Sequence, residues 1–290
     1  MNNDFTIQID TEKCIQCRLC SIECPANTSG IEEIRSNHNS RRCDRCFHCY
    51  AICPQNAIQI QGIEEELIHF GQHIDYADLL LLYKQRRSMR KFDQNLVPNN
   101  LLKLLFDAAR YSPTGGNVQD LTITIINNLE TRKELEVEII AYYNKMIRML
   151  RNPLLRYCLR FSGDAKIRET AKDKDFLHKI GGIYDLLKER GNNIFHDAPL
   201  VMLFHTGRLL PTAHEDCILA AYNVVLAAET LKLGSCFVSL SQQAIATDNK
   251  IKQMIGIPRS DHIYSVLVLG FPATSYRRVA PRKGKKVQFR

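Results

Sequence analysis

Eight of the chain's eleven cysteines fall into two copies of one pattern. The first is Cys14-x-x-Cys17-x-x-Cys20-x-x-x-Cys24-Pro25. The second, Cys43-x-x-Cys46-x-x-Cys49-x-x-x-Cys53-Pro54, follows 29 residues later. Three thiolates separated by two residues each can converge from one tight loop on three irons of a cube. The fourth, three residues on and followed by proline, is directed elsewhere. This is the ligand spacing of two cubane iron–sulfur clusters.

Other uses of eight cysteines fit less well. A disulfide framework needs an oxidising compartment, and the opening Met1 to Thr6 lacks the charged start and long apolar stretch of a secretory signal. Structural zinc uses C-x-x-C pairs in fours, but requires neither a third cysteine at the same short interval nor a duplicated C-x-x-x-C-P. Around the cysteines, Ile7 to Asp10 and Ala57 to Ile60 read as short edge strands. Ile15, Ile22, Ile31, Ile52 and Ile58 are expected to wall the clusters from water, and His48 to face solvent.

Residues 5–62 resemble the bacterial two-cluster 4Fe-4S ferredoxins. In those proteins the fourth thiolate of each copy ligates the opposite cluster. The resemblance thus implies Cys14, Cys17, Cys20 and Cys53 on one cluster, and Cys43, Cys46, Cys49 and Cys24 on the other. Such clusters carry one electron each at low potential, tuned by burial and by hydrogen bonds to sulfur.

The remaining residues are numerous enough to bury a sizeable core of their own. After a leucine-rich segment, Leu79 to Tyr83, comes Arg86-Arg87-Ser88-Met89-Arg90-Lys91-Phe92. Guanidinium groups and a hydroxyl this close offer fork-shaped, charge-assisted hydrogen bonds suited to a phosphate monoester. A basic run alone is more often a solvated face. Here it is followed by a helix expected from Pro98 to Tyr111, then Ser112-Pro113-Thr114-Gly115-Gly116-Asn117-Val118-Gln119, then a strand from Leu121 to Ile126. Adjacent glycines let backbone approach a ligand, and Asn117 presents both a donor and an acceptor to a heterocycle edge.

Together these features resemble the nitroreductase family of FMN-dependent oxidoreductases. Further matches are Asp197-Ala198-Pro199 before a strand from Leu200 to His205, and a long helix closing at Leu233-Gly234-Ser235-Cys236. Ile255 to Pro258 follow, then a strand from Ile263 to Leu269 ending at Gly270-Phe271-Pro272-Ala273. The likeness covers about residues 80–290, apart from an insertion-like stretch over 145–193. It implies that Arg86, Arg87 and Ser88 hold the FMN phosphate and ribityl chain. Arg90 then reaches the pyrimidine side of the flavin, where a cation stabilises the reduced anion. Asn117 would contact the ring edge, the backbone of Val238, Ser239 and Leu240 would face the isoalloxazine, and Arg278 and Arg282 would form a second arm on the phosphate. One departure is Asp120-Leu121, where the family commonly has proline and an aromatic. No acid–base residue is singled out.

The chain carries a net charge of +8, much of it in residues 277–290, which hold seven basic residues and no acidic one. No recognised nucleic-acid reading module accompanies that run, so FMN-phosphate pairing plus solvated surface is the stronger reading, with no nucleic acid as partner. No apolar stretch reaches the roughly 18 residues that cross a bilayer. Cys158, Cys217 and Cys236 lie outside the repeats, and Cys217 and Cys236 read as buried small hydrophobes. Neither G-x-G-x-x-G nor G-x-x-x-x-G-K-[ST] is present.

The expected fold class is α+β: a ferredoxin-like domain over 1–62, a linker over 63–80, and a nitroreductase-like domain over 81–290 with a mixed, mostly antiparallel sheet. Small residues along the helix around 214–233 allow close helix approach. The resemblance implies a homodimer with FMN at the subunit interface, to which Lys286 to Phe289 could add a strand. The expected activity is cytoplasmic: an external low-potential donor feeds two 4Fe-4S clusters, which pass electrons through FMN to a small oxidised acceptor. The alternative is an electron-relay or sensing module with no small-molecule substrate of its own.

Overall fold

The computed structural model describes residues 6–24, 43, 46–61, 73–161, 168, 169, 172, 173, 182, 189 and 193–290. The chain divides into two compact units, residues 1–74 with 114–118, and residues 75–113 with 119–290.

In the first unit, β1 (Thr6–Ile9) pairs antiparallel with β2 (Ile58–Gln61), with Ile7 opposite Ile60 and Ile9 opposite Ile58. Two short helices lie between them in the chain, α1 (Leu19–Ile22) and α2 (His48–Ile52). Each follows a residue in the left-handed region, Arg18 at φ 63° and Phe47 at φ 59°, uncommon for side-chain-bearing residues. These two positions are 29 apart, so the backbone repeats in step with the cysteines. Each helix carries its copy's third cysteine, Cys20 or Cys49. The small core is Ile7, Cys20 and Ile58, with Ile9, Cys49, Tyr50 and Cys53 packed against it.

The expected isoleucine wall needs correction. Ile58 is buried, but Ile22 is 72% and Ile52 38% exposed. With Cys20 turned inward, Ile22 two residues on falls on the opposite side of a helical turn. Ile31 lies outside the described residues.

The second unit begins with α3 (Tyr76–Gln85), whose N-cap Asp75 accepts from the Ala77 amide at 3.1 Å. This helix takes in the last five residues of the expected linker. In α4 (Asn99–Arg110), Leu102, Leu105 and Ala109 recur at helical spacing and form the buried face. The other elements are β3 (Thr122–Ile126), α5 (Leu129–Arg151), α6 (Pro153–Leu159), β4 (Leu200–Thr206), α7 (Ala213–Thr230), β5 (Gly234–Phe237), α8 (Ser239–Thr247), α9 (Asn249–Met254) and β6 (His262–Gly270). The front of the insertion-like stretch thus belongs to α5 and α6, and most of residues 162–192 lie outside the described set.

The sheet order is β3-β4-β6-β5, and every neighbouring pair is antiparallel. Among the described residues, parallel pairing in this unit is confined to one bridge, Ser88 with Ser235, so the sheet is mostly antiparallel, as expected. Side chains alternate across the pleat. Val201, Leu203, Val266 and Val268 join Leu135, Ile139 and Ile245 on one face. Leu200, Met202, Phe204, Leu267 and Leu269 join Leu105, Ala220 and Val224 on the other. The result is an α+β sandwich with α4 and α7 over one face and α5, α8 and α9 over the other.

Polar contacts pin the sheet's approaches. Glu136 on α5 accepts from the Ile194 and Phe195 amides at 2.8 and 2.9 Å, and Arg132 donates to the Ala198 carbonyl. These bonds hold the turn containing His196 and Asp197, both in left-handed conformation. Buried His205 bridges Asp261 at 2.7 Å and Thr124 at 2.8 Å, tying β3 and β4 to the loop before β6. Among the described residues no helix is long and apolar enough to cross a membrane.

Candidate redox sites

In the first unit, Cys14, Cys17, Cys20 and Cys53 line one cavity together with Ile9, Ile15, Arg18, Leu19, Ala57 and Ile58. Three of these cysteines come from the first copy of the pattern and one from the end of the second. The antiparallel pairing of β1 with β2 explains how: it returns the chain after Cys53 to the strand that leads into Cys14. The empty space is about 380 Å³, counting the part open to solvent. Among the described residues no three His, Cys, Asp or Glu side chains converge on a point that fits a single ion. The Ala57 amide donates to the Cys53 sulfur at 3.3 Å, the kind of hydrogen bond that stabilises a cluster thiolate.

The other four repeat cysteines, Cys24, Cys43, Cys46 and Cys49, are all partly buried. Burial pushes the Cys49 thiol up to about 11, with the neighbouring sulfurs of Cys43, Cys46 and Cys20 adding in the same direction. Burial likewise raises Cys20. Such thiols stay protonated unless a cationic partner compensates the thiolate, and iron supplies that charge on binding.

In the second unit, the run from Arg86 to Phe92 lies along the free edge of β5. Ser88 bridges Ser235, and the Met89 amide donates to the Ser235 carbonyl at 2.9 Å. On its other side the run meets the segment after β6. The Asp93 amide donates to Phe271, the Ala273 amide donates to Lys91, and the Thr274 hydroxyl lies 3.9 Å from the Met89 sulfur. Buried Met89 and Phe92 anchor the run, leaving Arg86, Arg87 and Ser88 half-buried and Arg90 exposed. Gly234 is required here, because a Cβ would sit 2.7 Å from Met89 Cγ.

Two neighbours of this run were not legible as site residues. Cys236, on β5, takes a hydrogen bond from Ser88 and lies in the field of Arg90 and Arg86. Burial nonetheless dominates and raises its thiol above the ordinary range. Glu229, in the last turn of α7, is raised by burial and partly lowered by Arg86. Neither position stands at a recognisable spacing from Arg86, because the contacts come from sheet pairing.

Val238 is buried, and its amide donates to Val266 at 2.9 Å. Leu240 is held by Tyr143 of α5, whose hydroxyl donates to its carbonyl at 2.8 Å. The Val238–Leu240 turn is therefore fixed from both the sheet and the helix layer. Asn117 closes a single 3₁₀ turn, Gly115–Asn117, with φ 50°, and this turn groups with the first unit. Arg278 and Arg282 lie in the exposed, irregular segment after β6, where Arg282 donates to the Pro281 carbonyl at 3.5 Å. The contact seen there is from Tyr276, whose ring lies 5.3 Å from the Arg87 guanidinium. Asp120 pairs with Arg208 at 2.6 Å.

A nitroreductase family model matches residues 83–271, and a 4Fe-4S dicluster domain matches residues 6–54. The chain belongs to the nitroreductase family and carries a 4Fe-4S dicluster domain ahead of it. A Methanothermobacter thermautotrophicus protein, provisionally named NADH dehydrogenase/NAD(P)H nitroreductase, is 22% identical over 71% of this chain and 83% of its own length. A nitroreductase structure with bound FMN from Desulfitobacterium hafniense is similar at 21% identity and a TM-score of 0.52, covering 72% of this chain and 97% of that one. A Bacteroides fragilis nitroreductase with bound FMN is also 21% identical, with a TM-score of 0.49, covering 73% and 95%. The expectation of 4Fe-4S clusters agrees with the dicluster match.

Proposed function

We propose that the chain is an FMN-dependent oxidoreductase in which electrons reach FMN through two 4Fe-4S clusters and leave to a small oxidised acceptor such as a nitroaromatic, a quinone or an activated alkene. The observation that carries this reading is the closure of Cys14, Cys17, Cys20 and Cys53 around one cavity in a chain whose other unit is a nitroreductase domain. When bound, each cluster exchanges one electron and FMN exchanges two.

The protein contributes binding and electrostatics. The eight repeat cysteines hold the clusters in the crossed pairing, and the Ala57 amide steadies Cys53. Arg86, Arg87 and Ser88 offer charge-assisted bonds to the FMN phosphate, on a run that β5 and the segment after β6 hold in place. Arg90 supplies positive charge toward the reduced ring, Asn117 contacts its edge, and the Val238–Leu240 turn supplies backbone against it. Arg278 and Arg282 form a second basic arm on the phosphate.

The proposed domain limits are 1–62, 63–80 and 81–290. A homodimer is supported by α7, which buries Ala220, Ala221, Val224 and Ala228 while leaving Leu219 and Tyr222 exposed for a partner. The donor is an external low-potential protein in the cytoplasm.

Anaerobic turnover of the purified protein tests the wiring. With reduced ferredoxin or dithionite, the 450 nm flavin absorbance should bleach as the clusters reduce, and a nitroaromatic should then restore it. Flavin that stays oxidised beside reduced clusters contradicts the reading, as does bleaching by NADH at the same rate when the clusters are missing.

A further inference from the structure

The two cysteine copies share their ligand spacing and a left-handed residue before the helix, but carry different residues between the ligands. Arg18 and Phe47 occupy the same register, adopt the same left-handed conformation, and each directly precedes the helix bearing the third cysteine. Arg18 also lines the cavity formed by Cys14, Cys17, Cys20 and Cys53. The nearby Lys13 is paired with Asp10 at 3.4 Å, whereas Arg18 makes no ion pair with any described residue. A cluster gains one negative charge on reduction, and a guanidinium beside it stabilises that state more than the oxidised one.

We propose that Arg18 selectively raises the reduction potential of the cluster held by Cys14, Cys17, Cys20 and Cys53, an effect that its repeat counterpart Phe47 does not exert on the other cluster. The inference rests on the ligand pairing given above. Solvent screens an exposed guanidinium. The expected effect is therefore roughly tenfold in that cluster's reduction equilibrium, about 59 mV for a one-electron couple.

The test is an anaerobic redox titration of the full-length holoprotein, followed by low-temperature EPR. Phe47 shows that a phenyl ring is accommodated at this backbone position, so Arg18→Phe should fold and retain both clusters. It should lower one midpoint potential and leave the other in place. Arg18→Lys should largely restore the shifted value, and Phe47→Arg should raise the other midpoint. Unmoved midpoints in Arg18→Phe overturn the proposal. So does an Arg18→Lys variant that falls as far, since packing and not charge would then be the cause. The pairing is read separately: Cys53→Ser should perturb the EPR signal of the cluster that responds to Arg18. If Cys24→Ser does so instead, the crossed ligation fails while the charge effect stands.

Discussion

The N-terminal unit gathers its described core around a cluster of three buried side chains, Ile7, Cys20 and Ile58, one of them a proposed cluster ligand. The second unit buries two apolar layers, one on each face of a four-stranded sheet, with Leu105, Leu135, Ile139 and Phe204 fully enclosed. A fold with so little apolar burial depends on ligand bonds to hold it, whereas one with two packed layers does not. The two units should therefore respond to different insults: the first to loss of metal, the second to loss of side-chain volume.

Iron removal should separate them most sharply. Chelation under oxidising conditions is expected to abolish amide protection over residues 6–61 and to leave the strands of residues 200–206 and 262–270 protected. Hydrogen exchange read by mass spectrometry checks this. Equal protection loss in both units would erase the contrast.

A volume deletion should do the reverse. Leu105→Ala removes a fully buried side chain from the layer between α4 and the sheet, at a cost of about 2–5 kcal/mol. Calorimetry should show a lower Tm for the second unit, while the brown cluster absorbance of the protein is unchanged.

A smaller and more local effect is expected at the cofactor edge. Gly234→Ala drives a methyl against Met89 and pushes the Arg86–Ser88 run off β5. FMN affinity measured by fluorescence quenching should fall about tenfold, roughly one lost charged hydrogen bond. An unchanged Kd would detach the run from cofactor binding.

A pH-dependent effect belongs to Cys217. Burial pushes its thiol up to about 12, whereas an unfolded cysteine titrates near 9. The folded state therefore keeps a proton that the unfolded state releases, so this stability is fully present below about pH 9. It is lost between about 9 and 12, at a slope of about 1.4 kcal/mol per pH unit. Urea unfolding from pH 7 to 10.5 should show wild type losing stability faster than Cys217→Val, and parallel curves would refute the assignment.

The two regions also differed in how far their sequence could be read. The cysteine repeat is a local pattern, so its 29-residue offset and the strands bracketing it were legible. The walls were less so, because whether Ile22 faces the cluster depends on the phase of a single helical turn. In the second unit, apolar spacing marked α4, the family resemblance marked β4 and β6, and the basic run stood out by charge. Sheet pairing placed Ser235, Cys236 and the Phe271–Tyr276 segment beside that run, and no local pattern encodes such a neighbour.

The central claim is that electrons enter at the cysteine-bound centres and reach FMN from there. Its most direct test is stopped-flow reduction by ferredoxin of wild type and of Cys17→Ser/Cys46→Ser, with bound FMN quantified in both. Equal FMN content with flavin bleaching slowed at least a hundredfold in the variant is the predicted result. Equal bleaching rates in the two proteins would contradict the account.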